Sequence, residues 1–367
     1  MLNFLLNISI VILIIGILVF VHELGHLIAA KLIKAKVFEF AIGFGPKLFS
    51  KKIGETEYSL RLLPLGGYVN ILGEGHDPEL EEEFPEGSLR NKSGIQKIFV
   101  MIAGVFMNFV LACIIYFFLL LNFNFQLPIS PDLKDFKPIG GEVVVKEIGD
   151  LKYTTLVEDM PAYKAGLPNE ESTIKSVDGN SLNSIEFRKY LSDKRGKIIN
   201  LEICKDVCNT YPVEVGEDGK IGMMLIDNSY LLIDYSDNKV FAGFNHSLNY
   251  VRLVGIKLSE IFGSARDTGD YTEVVGGVSG PIGLYLIVDQ LKEYGVIILF
   301  EITASLSLTL VIMNLLPIPA LDGGRILLVL IEMVIRKPLN KKVEALVINI
   351  SFILLMILMF SIIIKDI

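Results

Sequence analysis

The sequence predicts a multi-pass α-helical membrane protein with four transmembrane helices, a re-entrant β-hairpin and one extracytoplasmic α/β domain. Three observations carry this. The chain of 367 residues is 51% hydrophobic with a mean hydropathy of +0.53, too apolar for an ordinary soluble protein. Its apolar residues gather into four runs, 4–21, 98–121, 296–316 and 343–364, each near or above the roughly 20 residues that span a bilayer. Between the second and third runs lies a long polar stretch with the turn signals and alternation of a small α/β fold.

The first run lacks a basic start, and no small-residue cleavage site precedes the polar motif that ends it, so it reads as a retained helix over 1–30 rather than a signal peptide. That motif is V-H-E-L-G-H, 21–26. Ionisable groups are costly in a bilayer and mark function when they occur there. His22 and His26 are one helical turn apart on one face and can share a metal, with Glu23 adjacent to that face as a general base. Zinc accepts imidazole nitrogen, and a catalytic zinc site uses three protein ligands with one position open. Two histidines therefore require a partner from elsewhere in the chain.

Region 31–96 holds the hairpin and an acidic loop. Over 36–68, Phe38 and Phe40 alternate with Val37 and Glu39, and Tyr58, Leu60 and Leu62 alternate with Ser59 and Arg61, with a turn at Gly54. Phe44, Leu62, Leu63 and Leu65 make this segment too apolar for a solvated loop. It reads as backbone dipping into the membrane where protein covers it. The stretch E-G-H-D-P-E-L-E-E-E-F-P-E-G, 74–87, is a solvated loop, and its His76 an ordinary surface histidine.

The second span covers 97–121 and contains Cys113 as a core residue. The α/β domain follows over 141–225, with strands at E-V-V-V-K-E-I, T-I-K-S-V, K-I-I-N-L-E-I and Y-P-V-E-V, a helical turn at M-P-A-Y-K-A-G-L and a helix at S-I-E-F-R-K-Y-L-S-D opened by Ser184. P-A-x-x-A-G-L followed by I-x-S-V-D-G resembles a PDZ domain, a fold that binds extended peptides by adding a strand to its sheet edge. P-N-E-E-S-T stands where Gly-Asp is usual, and one copy is present. Cys204 and Cys208 fit either a local bridge or two free thiols. Over 241–293, helical spacing of Phe244, Leu248, Val251 and Ile256 with Arg252, Lys257 and Glu260 reads as amphipathic interfacial helices. The third span covers 295–317 and the fourth 343–364.

Lysine and arginine fix the orientation. Lys31, Lys34, Lys36, Lys47, Lys51, Lys52, Arg61, Arg90 and Lys92 lie between spans one and two. Arg325, Arg336, Lys337, Lys341 and Lys342 lie between spans three and four. Both connections face the cytoplasm, leaving the α/β domain and both termini outside. The net charge of −8 offers no basic stripe for nucleic acid.

This topology brings Asp322, in N-L-L-P-I-P-A-L-D-G-G, to the depth of the two histidines. Pro317 and Pro319 break the third helix, and Gly323-Gly324 let the chain turn back, so Asp322 is the candidate third ligand. Asn314, two turns earlier, can hydrogen-bond a substrate backbone or a developing oxyanion.

H-E-L-G-H, P-L-G-G-Y-V (64–69), A-G-x-x-x-N-F (103–109), S-G-P-I-G (279–283) and N-L-L-P-I-P-A-L-D-G-G (314–324), in this order around a PDZ-like domain, resemble the bacterial site-2 protease family. The resemblance is to intramembrane zinc metalloproteases, in particular the RseP-type regulators of sigma-factor signalling. It implies one Zn2+ per chain on His22, His26 and Asp322, Glu23 as general base, and a hairpin that pairs with the substrate. Asn314, Gly67, Tyr68, Pro317 and Pro319 are then substrate-binding residues. It further implies a bacterial inner-membrane enzyme that cuts transmembrane segments of single-span proteins, such as pre-trimmed anti-sigma factors or remnant signal peptides. Two other readings compete. A non-catalytic membrane adaptor working through its PDZ-like domain would be marked by a degraded H-E-x-x-H or a missing aspartate, and neither is degraded. A transporter would have Glu301 as its intramembrane carboxylate, but no paired repeat of broken helices accompanies it.

Overall fold

The computed structural model describes residues 2–74, 83–130, 133–147, 149–205, 207–226, 229–272 and 280–366. His76 and Ser279 lie outside the described residues. The chain divides into two compact units, one built from 1–121 and 243–367, the other from 122–242. Among the described residues, four helices are long and apolar enough to cross a membrane. With its β-sheet regions, this is the multi-pass fold with a PDZ-like domain that the sequence predicts.

In the first unit, α1 (Leu2–Leu32) carries the H-E-L-G-H motif. It is followed by β1 (Val37–Ile53) and β2 (Thr56–Ile71). These form more than a simple hairpin. Residues 37–42 pair on one side with 67–71 and on the other with 57–60, while 57–61 pair also with 47–53. Each strand is folded on itself, giving four segments in the order 67–71, 37–42, 57–60, 47–53, in which 39–42 and 57–60 run in parallel register and the other neighbours are antiparallel. The sequence predicts one turn, at Gly54. The additional bends fall where Gly43, Gly45 and Gly66 take positive φ, which glycine adopts without steric cost. Segment 67–71 is thereby an outer edge of the sheet. Leu27, Ala29 and Ala30 of α1 pack with Val37, Phe40, Val69 and Ile71 of the sheet in one buried cluster.

α2 (Gly94–Asn122) packs against α1, and their approach rests on absent side chains. A Cβ on Gly25 would overlap the Ala103 carbonyl and lie 2.9 Å from Gly104 Cα. Small residues permit such close helix packing within membranes. α5 (Ala242–Thr268) and α6 (Pro281–Leu291) occupy the predicted amphipathic region. The N-terminus of α6 is capped from the far end of the chain: Asp366 Oδ2 accepts from the N–H groups of Gly280 and Gly283 at 2.8 and 3.2 Å. A carboxylate is favourable there because it meets unpaired N–H groups and the positive helix end.

α7 (Val296–Asn314) is shorter than the apolar run, because residues before proline are driven out of helical geometry. The chain re-enters a helix at once as α8 (Asp322–Ile335), which the sequence reading leaves as a loop. α9 (Lys341–Asp366) ends the unit. Three ion pairs, Arg325–Glu74 at 2.6 Å, Lys97–Glu332 at 3.3 Å and Arg90–Glu344 at 3.5 Å, join α8 and α9 to the chain around α2. The apolar side chains of α9 face outward, with Phe352, Ile353 and Leu354 all exposed, as lipid contact requires. Glu301 is exposed in the second turn of α7.

The second unit contains two sheets. β3 (Gln126–Ile129), β4 (Glu142–Glu147) and β10 (Ser229–Asp234) form one, in the order β3-β10-β4. The other comprises β5 (Lys152–Leu156), β6 (Ser172–Val177), β7 (Ile198–Cys204), β8 (Cys208–Glu214) and β9 (Met223–Ile226), in the order β8-β7-β6-β5-β9. The E-V-V-V-K-E strand therefore pairs with residues beyond 225, outside the five-stranded sheet. α3 (Pro161–Lys164) and α4 (Ser184–Asp193) complete the unit. Asn183, rather than Ser184, opens α4: its side chain accepts from the N–H groups of Ile185 and Glu186, and Glu186 reaches back in a capping box. Tyr153, Phe187, Ile199, Leu201, Ile203 and Val213 are buried together. Cys204 and Cys208 are disulfide-bonded across the β7–β8 turn.

Candidate metal centre

α1 presents His22 and His26 one turn apart, and α8 presents Asp322 from its first turn. His22 Nε2 lies 3.2 Å and His26 Nε2 3.5 Å from Asp322 Oδ2, and the two Nε2 atoms are 3.1 Å apart. Zinc bound tetrahedrally at about 2.0–2.1 Å spaces its ligands roughly 3.3 Å from one another. The triangle thus has the dimensions of three protein ligands around one zinc ion.

The protons point the same way. His26 Nδ1 is 2.8 Å from the Val100 carbonyl, an acceptor only, so Nδ1 carries the proton and Nε2 a lone pair. Asp322 Oδ2 is buried without a hydrogen-bond partner. With Nε2 of His22 also unprotonated, three lone-pair atoms packed this closely repel unless a cation sits between them. The donor set, two imidazoles and one carboxylate, is one that zinc accepts.

Glycines make the convergence possible. A Cβ on Gly104 of α2 would collide with His26 Nε2 and lie 2.8 Å from His22 Cε1, so no side chain larger than hydrogen fits beneath the cluster. A Cβ on Gly323 or Gly324 would strike the backbone of 315–319. L-D-G-G therefore lets α8 begin tightly folded under the turn holding Pro317 and Pro319, which is what aims Asp322 inward.

Glu23 follows His22 on α1, and the sheet edge comes to it. A Cβ on Gly67 would lie 3.5 Å from Glu23 Cγ and 3.2 Å from Val19 Cγ1. Segment 67–71 thus passes beside the glutamate with no side chain interposed. Tyr68, next to it, is held within the sheet: its hydroxyl donates to Glu39 at 2.8 Å and its ring stacks on Phe44. Asn314 is the half-buried last residue of α7.

Glu39 organises the sheet. Ser59, Arg61 and Tyr68 donate to it at 2.6, 2.8 and 2.8 Å. Burial by itself raises its carboxyl, but these donors and the Arg61 charge outweigh burial and hold it at about 2. Sequence reasoning gives Glu39 only a place in an alternating strand. It also misses the Val100 carbonyl, which no sequence pattern encodes, and leaves Asn108 without a role although it stands in A-G-x-x-x-N-F.

An H-E-x-x-H motif on an apolar helix long enough to span a membrane, with a remote aspartate 3.2–3.5 Å from both histidines, is the arrangement of a class: the intramembrane zinc metalloproteases. Known proteins agree. The sequence pattern of Peptidase family M50 matches residues 10–358. A protein of Clostridium perfringens named "putative zinc metalloprotease" is 37% identical over 355 residues, covering 95% of each chain. The zinc metalloprotease RasP of Bacillus licheniformis is 31% identical and the regulator of sigma-W protease RasP of Bacillus subtilis 30%, each over 97% of both chains. The chain belongs to peptidase family M50 and is a zinc metalloprotease of the site-2 protease type.

Proposed function

We propose that this protein hydrolyses peptide bonds inside the transmembrane segments of single-span membrane proteins that another protease has already trimmed, such as anti-sigma factors, or of remnant signal peptides. One observation carries the reading: the approach of His22, His26 and Asp322 within 3.1–3.5 Å beside Glu23 and the outermost segment of the sheet. In this reading His22, His26 and Asp322 hold one Zn2+ per chain. Bound there, zinc supplies Lewis-acid polarisation of the scissile carbonyl and acidifies the attacking water. Glu23 removes a proton from that water and delivers it to the leaving amide nitrogen, so that the amine departs neutral.

A transmembrane helix hides its carbonyls in its own hydrogen bonds, so the substrate must be unwound before it is cut. Segment 67–71 offers it an antiparallel strand to pair with, compensating the lost helical bonds. Gly67 lets that strand lie against Glu23, while Tyr68, Asn314, Pro317 and Pro319 line the path of the substrate. Charge asymmetry of the connecting segments supports an orientation with the zinc end of α1 cytoplasmic, and the PDZ-like domain and both termini extracytoplasmic. In this arrangement the PDZ-like domain limits which substrates enter.

The test is Glu23→Gln in a reconstituted assay with a single-span substrate. Zinc content stays at one per chain and cleavage falls by about 10²–10⁴. Cleavage persisting near the unmodified rate sinks the assignment.

A further inference from the structure

The two imidazoles are held differently, and the difference points to a residue with no role so far. The ring of His26 is fixed by the Val100 carbonyl. The matching position on His22 faces the side chain of Asn108, two turns further along α2: Asn108 Nδ2 lies 3.5 Å from His22 Nδ1. Asn108 is fully buried, and its other amide atom, Oδ1, has no hydrogen-bond partner. Its backbone is pinned as well, since Ser307 Oγ of α7 donates to the Asn108 carbonyl at 2.8 Å.

Oxygen and nitrogen of an asparagine amide are distinguished only through the hydrogen bonds they make. With Nδ2 toward the ring, Asn108 donates to Nδ1 and forces the His22 proton onto Nε2, the atom that faces Asp322. That arrangement blocks ligation and also leaves a buried oxygen orphaned. Turning the amide by half a revolution removes both faults. Oδ1 then accepts from His22 Nδ1–H, and Nε2 presents its lone pair beside those of His26 and Asp322.

We infer that Asn108 is the positioning residue of His22: its side-chain oxygen holds the Nδ1 proton and so selects the tautomer that binds metal, as the Val100 carbonyl does for His26. The inference rests on the metal site proposed above. It also explains the spacing in A-G-x-x-x-N-F. Gly104 clears room for both imidazoles, and Asn108, one turn on, reaches the outer of the two. Ser307 fixes this grip from the helix that leads on to Asp322. One residue of span two thus links both halves of the ligand set.

The experiment measures zinc affinity by chelator competition on the full-length protein in detergent, comparing unmodified protein with Asn108→Leu, Asn108→Ala, Asn108→Asp and His22→Ala. Leu matches the volume of Asn without an acceptor, and Asp keeps an acceptor oxygen at the same reach. Loss of an orienting partner costs about 10–100-fold in affinity. Asn108→Leu and Asn108→Ala are expected to show that loss, while Asn108→Asp stays within about threefold of the unmodified protein because its oxygen replaces the amide. A packing role gives the opposite order, with Leu tolerated and the buried charge of Asp harmful, and overturns the inference. Equal affinity in all three Asn108 variants overturns it too. If Asn108→Leu fails to purify as a folded protein, the Ala–Asp pair decides by the same criterion. His22→Ala separates the two levels: zinc retained there as tightly as in the unmodified protein refutes the metal site itself, whereas zinc lost there but kept in Asn108→Ala refutes only the role of Asn108.

Discussion

The two units of the chain differ in what they leave outside and what they bury beside their apolar clusters. Between 122 and 242, burial follows polarity: Tyr153, Phe187, Ile199 and Leu201 are inside, and strand alternation carries polar residues outward. In the membrane unit, large apolar side chains such as Phe352 and Leu354 point outward. Its interior holds, beside apolar clusters such as Leu27, Val37 and Phe40, two histidines, an aspartate, Asn108 and Ser307. Lipid is as apolar as a protein core, so hydrophobic burial cannot choose the inward face of a membrane helix. Small residues and polar partners choose it instead. Gly25 against Ala103 and Gly104, and Ser307 against Asn108, are contacts of this kind.

Substitutions in each unit test whether the difference extends to energetics. The largest effect belongs to Asp322→Ala, which removes a proposed ligand outright. Zinc affinity should fall by more than the ~100-fold that bounds the loss of an orienting partner, as read by chelator competition. The four-helix unit should still purify intact, because its packing does not depend on that carboxylate. Unchanged zinc stoichiometry would show that the third ligand is another residue.

Phe187→Ala is the counterpart in the other unit and should destabilise it by about 3–5 kcal/mol. Thermal unfolding or limited proteolysis of 122–242 reports the loss. Zinc affinity should be unaffected, since every proposed ligand lies in the membrane unit; a parallel loss of zinc would break the separation.

The smallest effect concerns the sheet. Glu39 has an ordinary value of 4.5 and is held at about 2 in the folded protein. A depressed carboxyl contributes its stability fully above the unfolded value, and that contribution fades as pH falls through the folded one. Glu39→Gln should therefore lower the melting temperature modestly at pH 7 and converge with the unmodified protein toward pH 2. A difference that persists unchanged at pH 2 would assign the effect to shape rather than charge.

What the sequence makes legible follows the same division. The i, i+4 spacing of His22 and His26 predicts a shared face, which α1 supplies. Charge counting predicts that Asp322 lies at their depth, and the distances bring it there. The four spans are readable because length and apolarity suffice. Less legible are features set by short or backbone-level signals. β5 and β9 are strands of five and four residues, too short for alternation to separate from loop. The fold of β1 and β2 into four segments depends on glycine φ values around 43–45 and 66, which a composition reading cannot distinguish from ordinary turns. α8 is missed because its apolar run is brief and follows two prolines. Asn183 loses the cap to Ser184 in the reading because both residue types favour that position.

The position of the ligands along α1 has one more consequence. His26 stands six residues, and His22 ten, before the last residue of the helix. At about 1.5 Å per residue this is roughly 9–15 Å of axial distance. A substrate strand covering that interval in extended form, at about 3.3 Å per residue, needs three to five residues. Under the proposed function, a fragment released on that side would carry a tail of about this length. Such a product would be a domain carrying a stub rather than an intact membrane anchor, and the number of residues between H-E-L-G-H and the end of α1 would be the ruler for that stub.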